Sequence, residues 1–160
     1  MTVLPDVLAS NLKVVFCDTA AGTRSAYYGG RANRFWEMLH QIGLTPWQLE
    51  PAEFHDVLKY GIGLTDIAKL LSGPDTGLPK DAFDIKGLRG KIEHFKPRIL
   101  AFNGKTAARV FLGRGRVDYG LQADRVATTK IFVCPSTLGL AARSWDPAYW
   151  HELAKVASRV

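Results

Sequence analysis

Four short apolar segments recur along the chain, and longer stretches with helical periodicity separate them. The apolar segments span residues 13–17, 61–65, 98–102 and 130–134 and are rich in Val, Ile, Leu and Phe. Runs of this length and composition are typical of strands that are buried on both faces of a sheet. Because helices are predicted between them, the pattern indicates an α/β protein with a mainly parallel sheet.

The segments between the strands carry signals for helix starts and stops. Asn33 and Asp146 are favourable N-caps, Pro46 can begin a short helix, and Gly113 can end one. The other predicted helices cover residues 52–59, 84–95 and 105–112. We therefore predict a three-layer α/β/α sandwich around a mainly parallel four-stranded sheet, in a single domain over residues 1–160.

Composition narrows the class of protein. Hydrophobic residues make up 47% of the chain and charged residues 22%, which is ordinary for a globular domain and excludes a disordered one. The 21 basic and 15 acidic residues leave a net charge of +6, which favours an anionic partner, with nucleic acid as the first candidate. No apolar run reaches the roughly 20 residues of a membrane helix, so we expect no membrane partner.

The cysteines and the first residues of the chain indicate the cellular compartment in which we expect the protein. With only Cys17 and Cys134, the chain has neither a CxxC metal knuckle nor the ligands of an iron–sulfur cluster. We expect no metal and no cofactor. The first residues lack the pattern of a secretory signal, so we expect a cytoplasmic protein with reduced thiols.

Several blocks lie where ligands bind in parallel sheets, just beyond the carboxyl ends of the strands. Together they resemble the mismatch-specific uracil/thymine DNA glycosylases of the uracil-DNA glycosylase superfamily. The blocks follow in the family's order at residues 15–22 (VFCDTAAG), 27–36 (YYGGRANRFW), 60–65 (YGIGLT), 102–105 (FNGK), 119–122 (YGLQ) and 134–138 (CPSTL). The resemblance covers nearly the whole chain and implies a DNA repair enzyme that flips uracil, or another mismatched or deaminated base, out of DNA and hydrolyses its glycosidic bond. We accordingly expect a bacterial-type protein that acts on nucleoid DNA as a monomer.

The resemblance also implies roles for residues around the base. Tyr28 occupies the position of an aromatic ring that stacks on the flipped base, with packing in the core as the competing interpretation. The loop backbone at Thr19 and Ala20 would stabilise charge on the departing base, and Asn103 would contribute to base binding.

A second group of residues is implied to contact the DNA. Leu138 holds the place of the wedge that fills the gap left by the flipped base, with Leu140 as the alternative. Ser136 and Arg143 would bind flanking phosphates, and Lys105 would add a basic contact to the DNA.

The catalytic positions depart from the family's pattern. The first motif normally reads Gly-Ile-Asn-Pro-Gly, and its Asn positions the attacking water; Ala20 stands there instead. Cys134 replaces the His or Asn that often precedes Pro-Ser in the last motif. We therefore expect Asp66 first, and Asp18 second, to act on the water, unless catalysis relies on stabilisation of the leaving base alone. The alternatives are a non-catalytic damaged-DNA or nucleobase-binding protein of the same fold and an unrelated small-molecule α/β enzyme.

Overall fold

The computed structural model describes residues 4–19, 26–30, 32–68, 83–139 and 145–159. They contain a five-stranded sheet with the order β2-β1-β3-β5-β4. Its strands are β1 (Val14–Asp18), β2 (Ile62–Asp66), β3 (Ile99–Asn103), β4 (Gly120–Val126) and β5 (Thr129–Cys134). Strand β1 pairs in parallel with β2 and β3, β3 pairs in parallel with β5, and β4 runs antiparallel to β5.

Helices flank the parallel strands within the described residues, and the predicted signals at Asp146 and Gly113 act at helix ends. They are α1 (Phe35–Gln41), a 3₁₀ helix (Pro51–Tyr60), α2 (Ile85–Phe95), α3 (Lys105–Leu112) and α4 (Pro147–Ser158). Asp146 caps α4 by accepting the Ala148 N–H at 3.0 Å. Gly113 ends α3 with a φ of 67°, a left-handed conformation that glycine adopts without strain. No helix in the described ranges is long and apolar enough to cross a bilayer.

Side chains from alternate strand positions build one apolar layer on each face of the sheet. Phe16, Leu64 and Phe132 pack with α1, α4 and the 3₁₀ helix on one face. Val15, Phe102 and their neighbours pack with α2 and α3 on the other. Because helices cover both faces, the predicted three-layer α/β/α arrangement is confirmed.

Two predictions about secondary structure are wrong. The sheet has five strands instead of four, because β4 was missed. Strand β4 lies at the edge of the sheet and alternates exposed with covered residues (GLQADRV), so it contains no apolar run. Pro46 begins no helix: residues 44–47 form bends, and the next helix starts at Pro51. The side chain of Trp47 is 58% exposed, so a helix at that point has no apolar face to bury.

Candidate active site

Four polar or ionisable side chains end the four parallel strands on the same face of the sheet. Asp18 of β1 is in register with Asp66 of β2, and Asn103 of β3 is in register with Cys134 of β5. Each lies two positions beyond a side chain of the apolar layer that contains Phe16, so all four point to that face. Neighbouring strands lie about 4.8 Å apart, so the register places the two carboxylates side by side at this edge of the sheet.

The two carboxylates differ in exposure. Asp66 is 3% exposed, whereas Asp18 is half-buried. Asp18 Oδ1 accepts the backbone N–H of Thr19 at 2.8 Å, so the amide that the sequence assigns to the base already has a bond to this carboxylate. The structure therefore brings both predicted catalytic residues together, with Asp18 nearer to solvent.

Tyr28 packs beside these strand ends. Its backbone is left-handed (φ 52°), and its ring stacks on Phe35 with centroids 3.8 Å apart and planes 22° apart. Phe35 thus covers one face of the ring, and the residue as a whole is 7% exposed. The residue lies close enough to Asp18 and Asp66 for their charges to act on its phenol, and its ring is part of the core.

The phenol of Tyr28 is buried close to charged groups. Burial raises its pKa well above the ordinary value of 10.0, the charges of Asp18 and Asp66 raise it further, and the neighbouring Asn103 side chain lowers it by a smaller amount. Tyr28 Oη makes no hydrogen bond of good geometry within the described part of the chain. This hydroxyl is therefore neutral at ordinary pH.

Tyr27 has a different role from its neighbour. It is 1% exposed, and its Oη donates a hydrogen bond to the Pro5 carbonyl at 3.0 Å. Burial first, and then the charges of Asp66 and Asp6, raises the pKa of the phenol far above its usual range. Tyr27 thus anchors the N-terminal segment at Pro5.

The residues implied to contact DNA lie beside the ends of β3 and β5. Leu138 is 40% exposed, and its N–H is held by Ser136 Oγ at 3.2 Å. Gly104 packs against Ser136 with a φ of 97° that suits only glycine, and an added Cβ would make a tight contact of 3.3 Å with the Ser136 Cβ. Lys105 begins α3, with Nζ 4.2 Å from the centre of the Tyr119 ring. Ala20, Leu140 and Arg143 lie outside the described residues.

Cys134 is unsuited to replace the polar residue of the family's last motif as a charged group. It is fully buried, and burial first, then the charge of Glu152, raises the pKa of its thiol well above the ordinary value. The thiol is therefore neutral. Within the ranges that the structure describes, no three His, Cys, Asp or Glu side chains are grouped as metal ligands.

Sequence analysis gave no role to Thr137, which holds the site together. This residue is completely buried and exchanges two hydrogen bonds with Asn103: Asn103 Nδ2 donates to Thr137 Oγ1 at 2.9 Å, and the Thr137 N–H donates to Asn103 Oδ1 at 3.0 Å. Its carbonyl accepts the Arg34 N–H at 2.9 Å. The available signal was its place in the block at residues 134–138, between two residues already assigned to DNA.

These features define an α/β protein whose polar site lies beyond the carboxyl ends of its parallel strands. Residues 5–154 match the family model of the Uracil DNA glycosylase superfamily, and the chain belongs to that superfamily. The match spans every strand of the described sheet and the first two thirds of α4. It confirms the resemblance at the level of the superfamily and supports glycosidic-bond hydrolysis in DNA, as in base excision repair.

Proposed function

We propose that this protein is a monofunctional DNA glycosylase that removes uracil, and other mismatched or deaminated bases that fit the same pocket, and leaves an abasic site. Membership of the superfamily supports the general reaction. The observation that carries the proposal is the in-register pair Asp18 and Asp66 beside Tyr28 and Asn103, in a chain where Ala20 stands at the usual water-binding position.

The pair of carboxylates suits the charges that develop during the reaction. When the C1′–N bond breaks, the electron pair leaves with the base as an anion and the sugar becomes an oxocarbenium-like cation. A carboxylate beside the sugar stabilises this cation and accepts a proton from the water that adds to C1′. Asp66 is the first candidate because it lies where relatives contact the base, and Asp18 is the second.

Neutral groups beside the carboxylates suit the binding of the departing base. Asn103 uses one N–H and one lone pair of its amide on Thr137 and retains one of each for a base edge. The ring of Tyr28 stacks on Phe35, and in this proposal the base would stack on its opposite face. Leu138 is exposed at the neighbouring loop, where a wedge would enter the base stack.

The decisive experiment is single-turnover excision by Asp66→Asn, Asp18→Asn and the double variant on a labelled duplex with one uracil, followed by alkali. A positioned group that acts on a proton contributes ~100- to 10,000-fold in rate, so Asp66→Asn should slow excision by at least about 100-fold and leave DNA affinity nearly unchanged. Asp18→Asn should have a smaller effect. Thermal unfolding of each variant separates a loss of excision from a loss of folding.

Asp56→Asn is the matched control, because Asp56 pairs only at the surface with Lys59 at 3.6 Å, on the 3₁₀ helix. Its excision rate should equal that of the wild type. Normal excision by the double variant would refute a role for these carboxylates. A wild-type protein that binds the uracil duplex and never cleaves it would instead support the non-catalytic alternative.

A further inference from the structure

Thr137 connects three parts of the structure that are distant in sequence. Its side chain and its N–H bond to Asn103 at the end of β3, while its carbonyl holds the N–H of Arg34, just before α1. All of these bonds are between 2.9 and 3.0 Å, and the side chain is 0% exposed. The residue next to it is Leu138, which is 40% exposed.

Close packing on both sides restricts the same loop. Gly139 lies against Ala32, since a Cβ added to it would be 2.5 Å from the Ala32 Cβ. On the other side, Gly104 packs against Ser136. The loop at residues 136–139 is thus fixed by hydrogen bonds at Thr137 and by backbone contacts before and after it. Asn103 is therefore one of the groups that hold the backbone from which Leu138 projects.

Asn103 also borders the base site, beside the phenol of Tyr28. One side chain therefore contacts both the proposed base pocket and the loop that carries the proposed wedge. Two hydrogen bonds between the same pair of groups fix their relative orientation, which a single bond would not do.

We propose that Thr137 is a positioning residue that couples the base pocket to the loop that carries the wedge. Through its paired hydrogen bonds to Asn103, it holds Leu138 in the position to fill the base stack when Asn103 binds the flipped base. This proposal rests on the function proposed above. It assigns to Thr137 no contact with substrate. It predicts that the Thr137 hydroxyl increases the rate of excision from duplex DNA, where a base stack must be opened, and has little effect on single strands, where no stack exists.

The test compares Thr137→Val and Thr137→Ser in single-turnover excision of uracil from duplex and from single-stranded DNA of the same sequence. Valine keeps the branched shape and the backbone bond to Asn103 but removes Oγ1, whereas serine keeps Oγ1. We expect Thr137→Val to reduce the duplex rate by about tenfold, the equivalent of one lost hydrogen bond, with a much smaller change on the single strand. Thr137→Ser should restore most of the duplex rate.

Two further measurements distinguish a loss of the coupling from misfolding and from an absence of excision. Thermal unfolding of each variant identifies a loss of activity that is due to misfolding, and the ratio of duplex to single-strand affinity measures the coupling without any excision. If the wild type excises from neither substrate, the proposed function fails, and the affinity ratio still tests Thr137. Equal losses by Thr137→Val on both substrates, or a Thr137→Ser variant as impaired as Thr137→Val, would overturn the coupling.

Discussion

Replacing Tyr28 by phenylalanine separates the ring of this residue from its hydroxyl. Tyr28 Oη is buried and makes no hydrogen bond of good geometry in the described part of the chain. Burying a hydroxyl without such a bond costs about 1–3 kcal/mol in proteins. Tyr28→Phe removes that cost and leaves the ring stacked on Phe35, so the free energy of unfolding should rise by about 1 kcal/mol or more, which corresponds to about 2–4 °C in Tm.

Tyr27→Phe is the matched control, because the adjacent phenol does donate a bond, to the Pro5 carbonyl at 3.0 Å. Removing it should lower the free energy of unfolding by about 0.5–1.5 kcal/mol. Two adjacent tyrosines should therefore respond to the same substitution with opposite signs. Tyr28→Ala is a poor substitute for the test, since loss of a buried aromatic side chain costs about 3–5 kcal/mol and would mix stacking with folding.

The assay is urea denaturation of both variants, together with single-turnover uracil excision. If the ring alone meets the base, Tyr28→Phe should excise at the wild-type rate. A Tyr28→Phe variant that is destabilised by 1 kcal/mol or more would show that the hydroxyl has a partner in the folded protein, against the structural argument. A stable variant with strongly reduced excision would show that the hydroxyl, and not the ring, acts on the base.

Two further outcomes are expected. Leu138→Ala should weaken excision from duplex DNA more than from single strands and should leave the thermal unfolding temperature nearly unchanged, because the side chain is 40% exposed; equal losses on both substrates would exclude Leu138 as the wedge. The pKa values of Tyr27 and Tyr28 are raised above the ordinary 10.0, so above about pH 10 the unfolded chain loses protons that the native protein retains. The free energy of unfolding should therefore fall by about 2.7 kcal/mol for the two groups together between about pH 9 and about pH 11. Urea titrations at about pH 9 and about pH 11 measure this fall, and an unchanged free energy would contradict the burial of both phenols.

The sequence was sufficient for the elements whose signals are local. Buried parallel strands appear as continuous apolar runs, so four strands were predicted within a residue or so of their bounds. The cap at Asp146 and the terminator Gly113 depend on backbone groups a few residues away, and each acts as predicted. Strand β4 was missed because an edge strand is not buried on both faces and needs no apolar run.

The prediction of the candidate site needed the sequence for its residues and the tertiary structure for their arrangement. The sequence alone showed that Asp18, Asp66 and Asn103 follow their strands. Because ligands bind beyond the carboxyl ends of parallel strands, these residues were expected at one edge of the sheet. It did not say that Asp18 and Asp66 would be in register, because register between strands far apart in the chain is set by the packing of both sheet faces.

The hydrogen bonds that join the site were decided only by the tertiary structure. Asn103 and Thr137 are separated by 34 positions, and nothing in the periodicity of either segment links them. Their pairing forms because both side chains are removed from water, and a buried amide and hydroxyl must find partners within the protein. The sequence by itself determined which strands end at this edge and which polar residues follow them; the burial of those residues against one another determined which of them act together.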